Sequence, residues 1–332
     1  MRKIVVVTGG SAGVGRATAV EFACRGCDVG LIGRDVPRLE AAVSELQRLG
    51  ARACYAQADV ADPQAVEVAA DTIETELGAI DIWVNNAMAT IFAPVSAITA
   101  DEFRRATDVT YLGTVHGTMT ALKRMKLRGM GTIVNVGSAL AYRSVPLQSA
   151  YCGAKSAIRG FTDSLRSELI HDRSEIRLTM VHLPAVNTPQ FTWALNKTGR
   201  HAQPVPPIYA PEVPARAIVF AAFHPRREIW VGIPTVVAIL ANRISAGFAD
   251  WYLANTGYSS QLLHEVSPAD APANLFHPVP GDYGAHGRFT ARERQTSGEM
   301  FFARHKAAVI AAAVLVGAGA LRAARRLPPP RC

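Results

Sequence analysis

Tyr151 and Lys155 stand four residues apart in Tyr151-Cys-Gly-Ala-Lys155. On a helix that spacing puts both side chains on one face, one turn apart. A phenol with an unperturbed pKa near 10 is a poor acid–base group at neutral pH. A neighbouring ammonium favours the phenolate and lowers that value. A tyrosine so placed could protonate a carbonyl oxygen as hydride arrives on the carbon, or deprotonate an alcohol in the reverse direction. Tyr-x-x-x-Lys alone is a common coincidence on helix surfaces. Ser138 gives it a context, because it lies just past the apolar run Thr132–Val136. That run reads as a strand, so the Ser138 hydroxyl belongs at the carboxyl edge of a sheet, where α/β folds bind ligands. There it could hold a substrate oxygen beside Tyr151.

A second constellation opens the chain. Thr8-Gly-Gly-Ser-Ala-Gly-Val-Gly15 follows the strand-like run Ile4–Val7 and leads into a helix. Gly9, Gly13 and Gly15 let the backbone turn tightly and approach a pyrophosphate, whose charge the helix N-terminus favours. Ser11 and Val14 belong to the same loop. Glycine spacing alone is a weak signal, and the strand-to-helix position strengthens it. At the end of the second strand-like run a carboxylate would hold the adenosine ribose of NAD. Here the chain reads Gly33-Arg34, and Arg34 is placed to pair with a 2′-phosphate. NADP(H) is therefore favoured over NAD(H), with an exposed arginine in a turn as the other reading. Asp35 is better explained as a helix cap, as is Asp62 before Pro63.

The elements that must carry these groups alternate regularly. Strand-like runs are Ile4–Val7, Val29–Ile32, Ala51–Ala56, Ile80–Val84, Thr132–Val136, Ile176–His182 and Glu228–Val231. Helix-period stretches lie between them, at Arg38–Leu49, Pro63–Leu77, Asp101–Arg128 and Ala150–Leu169. Continuous apolar strands separated by helices predict an α/β fold, a doubly wound parallel sheet of seven strands (a Rossmann fold) with a C-terminal extension. Residues 1–235 read as the catalytic domain, and 236–300 as an apolar helical segment (Pro234–Leu253) followed by an irregular surface stretch. Residues 301–332 read as a basic and apolar C-terminal helix.

Composition sets the outer limits. A chain of 332 residues with 49% hydrophobic and 19% charged residues is globular and can bury a large core. The net charge of +8 is moderate and partly terminal, in Arg304, Lys306, Arg322, Arg325, Arg326 and Arg331. A solvated tail explains it, and no nucleic-acid partner is expected. Cys24 and Cys27 form a CxxC without a second pair at zinc spacing, so they are read as packing residues and no metal is expected. Met1-Arg-Lys runs straight into a strand, which predicts no export signal and a cytoplasmic protein. Ala307–Leu321 is uninterrupted by charge, yet fifteen residues span only about 22 Å as a helix, short of a bilayer core. A weak membrane association through this basic-flanked segment is kept beside a docked or loose helix.

Taken together, the residues resemble the classical branch of the short-chain dehydrogenase/reductase (SDR) family. Thr8-Gly-x-x-x-Gly13-x-Gly15, Asp59-Val60, Asn85-Asn86-Ala87, Ser138, Tyr151-x-x-x-Lys155 and Pro184-Ala185-x-x-Thr188 occur in family order, over residues 3 to about 235. The resemblance implies Asp59 and Val60 beside the adenine and Asn86 and Ala87 lining the cofactor cleft. It also implies Lys155 on the nicotinamide ribose, and Thr188 with the backbone after Pro184 on the carboxamide. A homodimer or homotetramer is implied, through the two long helices. Three positions depart from the pattern: Met88 and Ala185 each replace a glycine, and Thr110 stands where the family has an asparagine on a water-borne proton relay.

The reaction so implied interconverts an alcohol and a ketone or aldehyde, with Ser138 orienting the oxygen, Tyr151 moving the proton, and Lys155 lowering the tyrosine pKa. Leu140, Tyr142, Gln148, Phe191 and Trp193 fall where the family lines its substrate pocket, which suggests an apolar ligand. Two other readings stay open. One is a non-catalytic NADP-binding sensor or scaffold, for which Thr110 and Met88 leave room. The other is a membrane-associated enzyme acting on lipid-like substrates.

Overall fold

Ile4-Val-Val-Val-Thr8 is buried along its whole length because it forms the middle of a sheet covered on both faces. The computed structural model describes residues 2–268 and 270–298. Its main sheet has seven strands: β1 (Ile4–Thr8), β2 (Asp28–Gly33), β3 (Ala53–Gln57), β4 (Ile82–Asn85), β5 (Gly131–Ser138), β6 (Ile176–Leu183) and β7 (Glu228–Trp230). Their order is 3-2-1-4-5-6-7, parallel throughout, with Val5 opposite both Val29 and Ile82. The order reverses between β1 and β4, which opens a crevice at the carboxyl ends of those strands.

Helices α1 (Gly13–Cys24), α2 (Val36–Arg48) and, later in the chain, Glu212–Phe223 seal one face; α3 (Pro63–Leu77) with the helices before and after β5 seals the other. Asp35 and Asp62 do cap α2 and α3, accepting from Arg38 N at 2.9 Å and from Gln64 N at 2.9 Å. The strands begin and end slightly differently from the apolar runs. Asp28 opens β2 although charged, because Arg52 neutralises it at 2.8 Å in the buried edge. Residues 51 and 52 fall outside β3, and Ser138 is the last residue of β5, paired with Leu183.

The expected long helix over Asp101–Arg128 is divided. α4 (Ala100–Thr107) starts on a Thr99/Glu102 capping box, Asp108–Leu112 form a π-helical turn, and α5 (Gly113–Arg128) follows. The buried Thr110 side chain ties that turn to the Ala89 backbone, a constraint that helical periodicity does not reveal. α6 (Ser149–His171) brings Tyr151 and Lys155 into its first two turns. Beyond α7 (Glu212–Phe223), the apolar segment forms two helices, α8 (Ile233–Ile244) and α9 (Ala246–Thr256), because Ser245 caps the second through Phe248 N at 3.4 Å.

The largest departure lies after α9. The proline- and glycine-rich stretch expected to wander over the surface instead returns across the sheet edge, where Leu275, Val279 and Phe289 are buried. Low periodicity reflects a segment held by backbone groups rather than by a repeating apolar face. Among the described residues no helix is long and apolar enough to cross a membrane. The segment 301–332, with its apolar run Ala307–Leu321, lies outside them.

Candidate active site

The glycine loop is held open by its neighbours. Gly9 and Gly13 take φ of +65° and +56°, where L side chains are strained. A Cβ on Gly9 would lie 2.9 Å from Ala87 Cα, and one on Gly15 2.2 Å from the Gly9 carbonyl oxygen. Gly15 thus works from behind the loop and does not line the cleft, whereas Gly9, Ser11, Gly13 and Val14 do. Asn86 completes this cradle: its side chain donates to the carbonyls of Thr8 at 3.0 Å and Gly9 at 3.3 Å. Thr8 Oγ1 in turn accepts from Asn86 N at 3.0 Å and Ala87 N at 3.1 Å. A narrow, amide-lined turn at a helix N-terminus fits a dinucleotide diphosphate.

The cleft runs from this loop past Gly33, Arg34, Asp59 and Val60 on one side, and past Asn86, Ala87, Met88 and Thr188 on the other. Arg34 is not an exposed turn residue; its side chain is 22% exposed and lies 4.0 Å from Asp59. Asp59 also accepts from Arg105. Thr188 packs beside Gly13 in the cleft lining, and Pro184 packs against Gly232 outside it. Sequence reasoning overlooked Arg38, Asn274 and Pro278, which line the same end. Arg38 was hidden in an ordinary amphipathic helix, and the other two in the segment read as surface loop.

At the opposite end Ser138, Tyr151 and Lys155 meet. Tyr151 and Lys155 line the cleft beside Val136 and Gly137, and Ser138, outside that lining, has its hydroxyl close enough to act on the Tyr151 phenol. The Ser138 hydroxyl also accepts from Leu140 N at 3.1 Å, and its own carbonyl faces His182 Nδ1 at 3.2 Å. Lys155 Nζ donates to the Val136 carbonyl at 2.7 Å and lies 5.6 Å from the Tyr151 ring centroid. Their protonation differs from the expectation. Burial pushes Tyr151 up to about 12, with the nearby Ser138 hydroxyl opposing it, and burial brings Lys155 down to about 7. Burial governs both groups and Lys155 is not among the causes acting on Tyr151, so in this structure the lysine does not depress the tyrosine.

Thr110 is fully occupied: Oγ1 accepts from Ala89 N and donates to Ala89 O, each at 2.9 Å. Its hydroxyl braces the wall that carries Met88. Of the residues expected around a substrate, Trp193 lines the cleft. Tyr142 instead donates to Glu228 at 2.5 Å, Gln148 donates to Gln261 at 2.6 Å, and Phe191 packs on Phe92 with centroids 5.8 Å apart. Leu140 lies outside the lining. Among the described residues no cluster of His, Cys, Asp and Glu could hold a metal ion.

Comparison with known proteins agrees with this architecture. The short chain dehydrogenase family model matches residues 3–198. The protein named "Uncharacterized oxidoreductase YxnA" of Bacillus subtilis strain 168 is 31% identical over 328 residues, covering 98% of this chain and 91% of that one. An alcohol dehydrogenase from Thermococcus sibiricus, solved with 5-hydroxy-NADP, superposes with a TM-score of 0.60 at 25% identity, over 70% of this chain and 96% of its own. L-sorbose reductase from Gluconobacter frateurii, solved with NADPH and L-sorbose, has a TM-score of 0.61 at 24% identity, over 69% and 95%. A parallel sheet with this crevice and this cradle defines a dinucleotide-dependent oxidoreductase of Rossmann type. The chain belongs to the short-chain dehydrogenase/reductase family.

Proposed function

We propose that this protein is an NADP(H)-dependent reductase interconverting a carbonyl compound and its alcohol, with Ser138, Tyr151 and Lys155 as its acid–base site. The observation that carries this reading is that Tyr151 and Lys155 line the same cleft as the glycine loop, with Ser138 beside Tyr151. Bound there, a nicotinamide dinucleotide supplies or accepts the hydride. Gly9, Ser11, Gly13 and Val14 would hold its diphosphate, with Gly15 supporting the loop. Asp59 and Val60 would flank the adenine, and Asn86, Ala87, Thr188 and the Pro184 turn the nicotinamide end. Arg34 would receive a 2′-phosphate, which favours NADP(H) over NAD(H).

The chemistry of the trio favours reduction. A tyrosine near 12 is protonated at neutral pH and can give its proton to the still more basic oxygen that forms as hydride reaches the carbon. The Ser138 hydroxyl holds that oxygen, and Lys155 stabilises the phenolate left behind. Met88 and Leu183 make the substrate end apolar, in keeping with an apolar carbonyl compound. The reading includes a homodimer or homotetramer through α5 and α6, supported by the exposed Met119 and Ile170 on those helices. Cytoplasmic placement, with weak membrane contact through residues 301–332, rests on the sequence alone.

Tyr151→Phe tests the proposal. Carbonyl reduction should fall by roughly two to four orders of magnitude, the usual range for a lost general acid, while NADPH binding persists. Unchanged turnover in the variant overturns the mechanism. Tight NADPH binding by the wild type without turnover of any carbonyl compound would favour a cofactor sensor.

A further inference from the structure

The returning segment Asn274–Phe289 is tied to the cofactor cleft almost wholly through main-chain groups. Arg34 donates to the carbonyls of Asn274 at 2.5 Å, Phe276 at 2.9 Å and Leu275 at 3.4 Å. Arg38 donates to the carbonyls of Val279 and Gly281, the latter at 2.9 Å, and its guanidinium lies 4.6 Å over the Trp193 ring. Arg105 adds a bond to Leu275 O at 3.0 Å. Farther along, Asp282 pairs with Arg16 at 2.5 Å, and Tyr283 meets Trp193 edge-on at 4.7 Å. The Gly13 amide, at the start of α1, donates to Gly284 O at 3.0 Å. Asn187 anchors the end through Gly287 N and Phe289 N.

We propose that this strap is a component of the cofactor site: it fixes Arg34 and Arg38 as the receptor for an adenosine 2′-phosphate and closes that end of the cleft. The inference rests on the NADP(H) reading given above. A guanidinium has five N–H donors, and the strap takes three from Arg34 and two from Arg38. Donors remain on both for a phosphate. Meanwhile the side chains have already lost the rotamer freedom that binding would otherwise remove. The 2′-hydroxyl of NAD(H) carries no charge and draws little from two immobilised cations. Strap integrity therefore matters more for NADP(H) than for NAD(H). Asn274 and Pro278 also form part of the cleft lining itself, so the strap borders the ligand directly.

The carbonyls cannot be removed by substitution, but the side chains that seat the strap can. Asp282→Ala combined with Tyr283→Ala, in the full chain, removes the Arg16 ion pair and the Trp193 contact at partly exposed positions. The dissociation constant for NADPH should rise about tenfold or more, and that for NADH should stay within about threefold. In the wild type, hydrogen exchange of the 274–289 amides should slow more with saturating NADP⁺ than with saturating NAD⁺. Equal weakening of both cofactors, or unchanged affinity with no difference in exchange, overturns the strap's role. Arg34→Ala, which keeps the Asp282–Arg16 pair and the Tyr283–Trp193 contact of the strap, separates the two readings. If that variant binds NADPH as tightly as wild type, the 2′-phosphate reading fails and the proposal with it. If it weakens NADPH and the strap variant does not, the strap proposal alone fails.

Discussion

His182 Nδ1 lies 3.2 Å from the carbonyl oxygen of Ser138, which places a fully buried imidazole directly against the candidate substrate-orienting residue. Its other nitrogen is 3.6 Å from Glu228, a carboxylate that also accepts from Tyr142 and Trp230. Burial holds the imidazole down to about 4, against the upward pull of Glu228; the Ser138 carbonyl also raises it, while Arg159 and Lys155 lower it.

This arrangement has an acid signature. The unfolded chain takes up a proton on His182 near its ordinary value of 6.5, and the folded one does so only near 4. Between those values the unfolded state binds more protons, so stability falls as pH falls through that window. Glu228, held below its ordinary range, acts in the same direction at the lower end. Urea unfolding of the wild type should show that decline, and His182→Gln should flatten it. Parallel slopes in the two proteins would contradict the assignment.

Lys155 predicts a pH dependence of turnover. Below about 7 it is an ammonium, which in the proposed mechanism would stabilise the phenolate formed when Tyr151 gives up its proton; above that it is a neutral amine. The kcat for carbonyl reduction should therefore decline as pH rises through about 7, with the cofactor saturating. A flat profile from about pH 6 to 9 would remove Lys155 from that role.

Thr110→Val keeps the shape of the side chain but deprives Ala89 of both its partners. Two buried backbone groups left unmet cost roughly 1–3 kcal/mol each. The variant should lose about that much in urea denaturation, and Thr110→Ser should recover most of it. Equal stability of the valine variant and wild type would show that the pair carries little.

Gly15→Ala tests the cradle from behind. Its Cβ would sit 2.2 Å from Gly9 O and 2.5 Å from Asn86 Nδ2, so the loop must move. NADPH affinity should fall by about tenfold or more in titration calorimetry. An unaltered dissociation constant would mean that the loop does not grip the cofactor.

Much of this was legible beforehand, for physical reasons. Buried parallel strands are continuously apolar, so the sheet and its order of elements follow from runs such as Ile4–Val7 and Ile176–His182. Tyr151, Lys155 and Ser138 follow from a four-residue spacing and a strand end. What escaped is whatever depends on long-range contact. The division of the Asp101–Arg128 helix hangs on Thr110 reaching Ala89. The protonation of Tyr151 and Lys155 hangs on burial, which spacing does not express. The strap is built from carbonyls that every residue carries, so its sequence advertises nothing. Arg38, in turn, looked like any charged residue on an amphipathic helix.

The bond from Gly13 N to Gly284 O joins the first helix of the fold to a residue far downstream in the chain. The seven strands and the Ser138–Tyr151–Lys155 trio can all be laid down from the first 230 residues. Arg34 and Arg38 acquire their strap partners only after residues 274–281 emerge. Contacts of such sequence separation form late, because the intervening chain must first be ordered. On the ribosome, then, the proposed acid–base half of the site matures before the half proposed to recognise the cofactor's far end. A nascent chain therefore gains the contacts of the strap only after residues 274–284 have emerged.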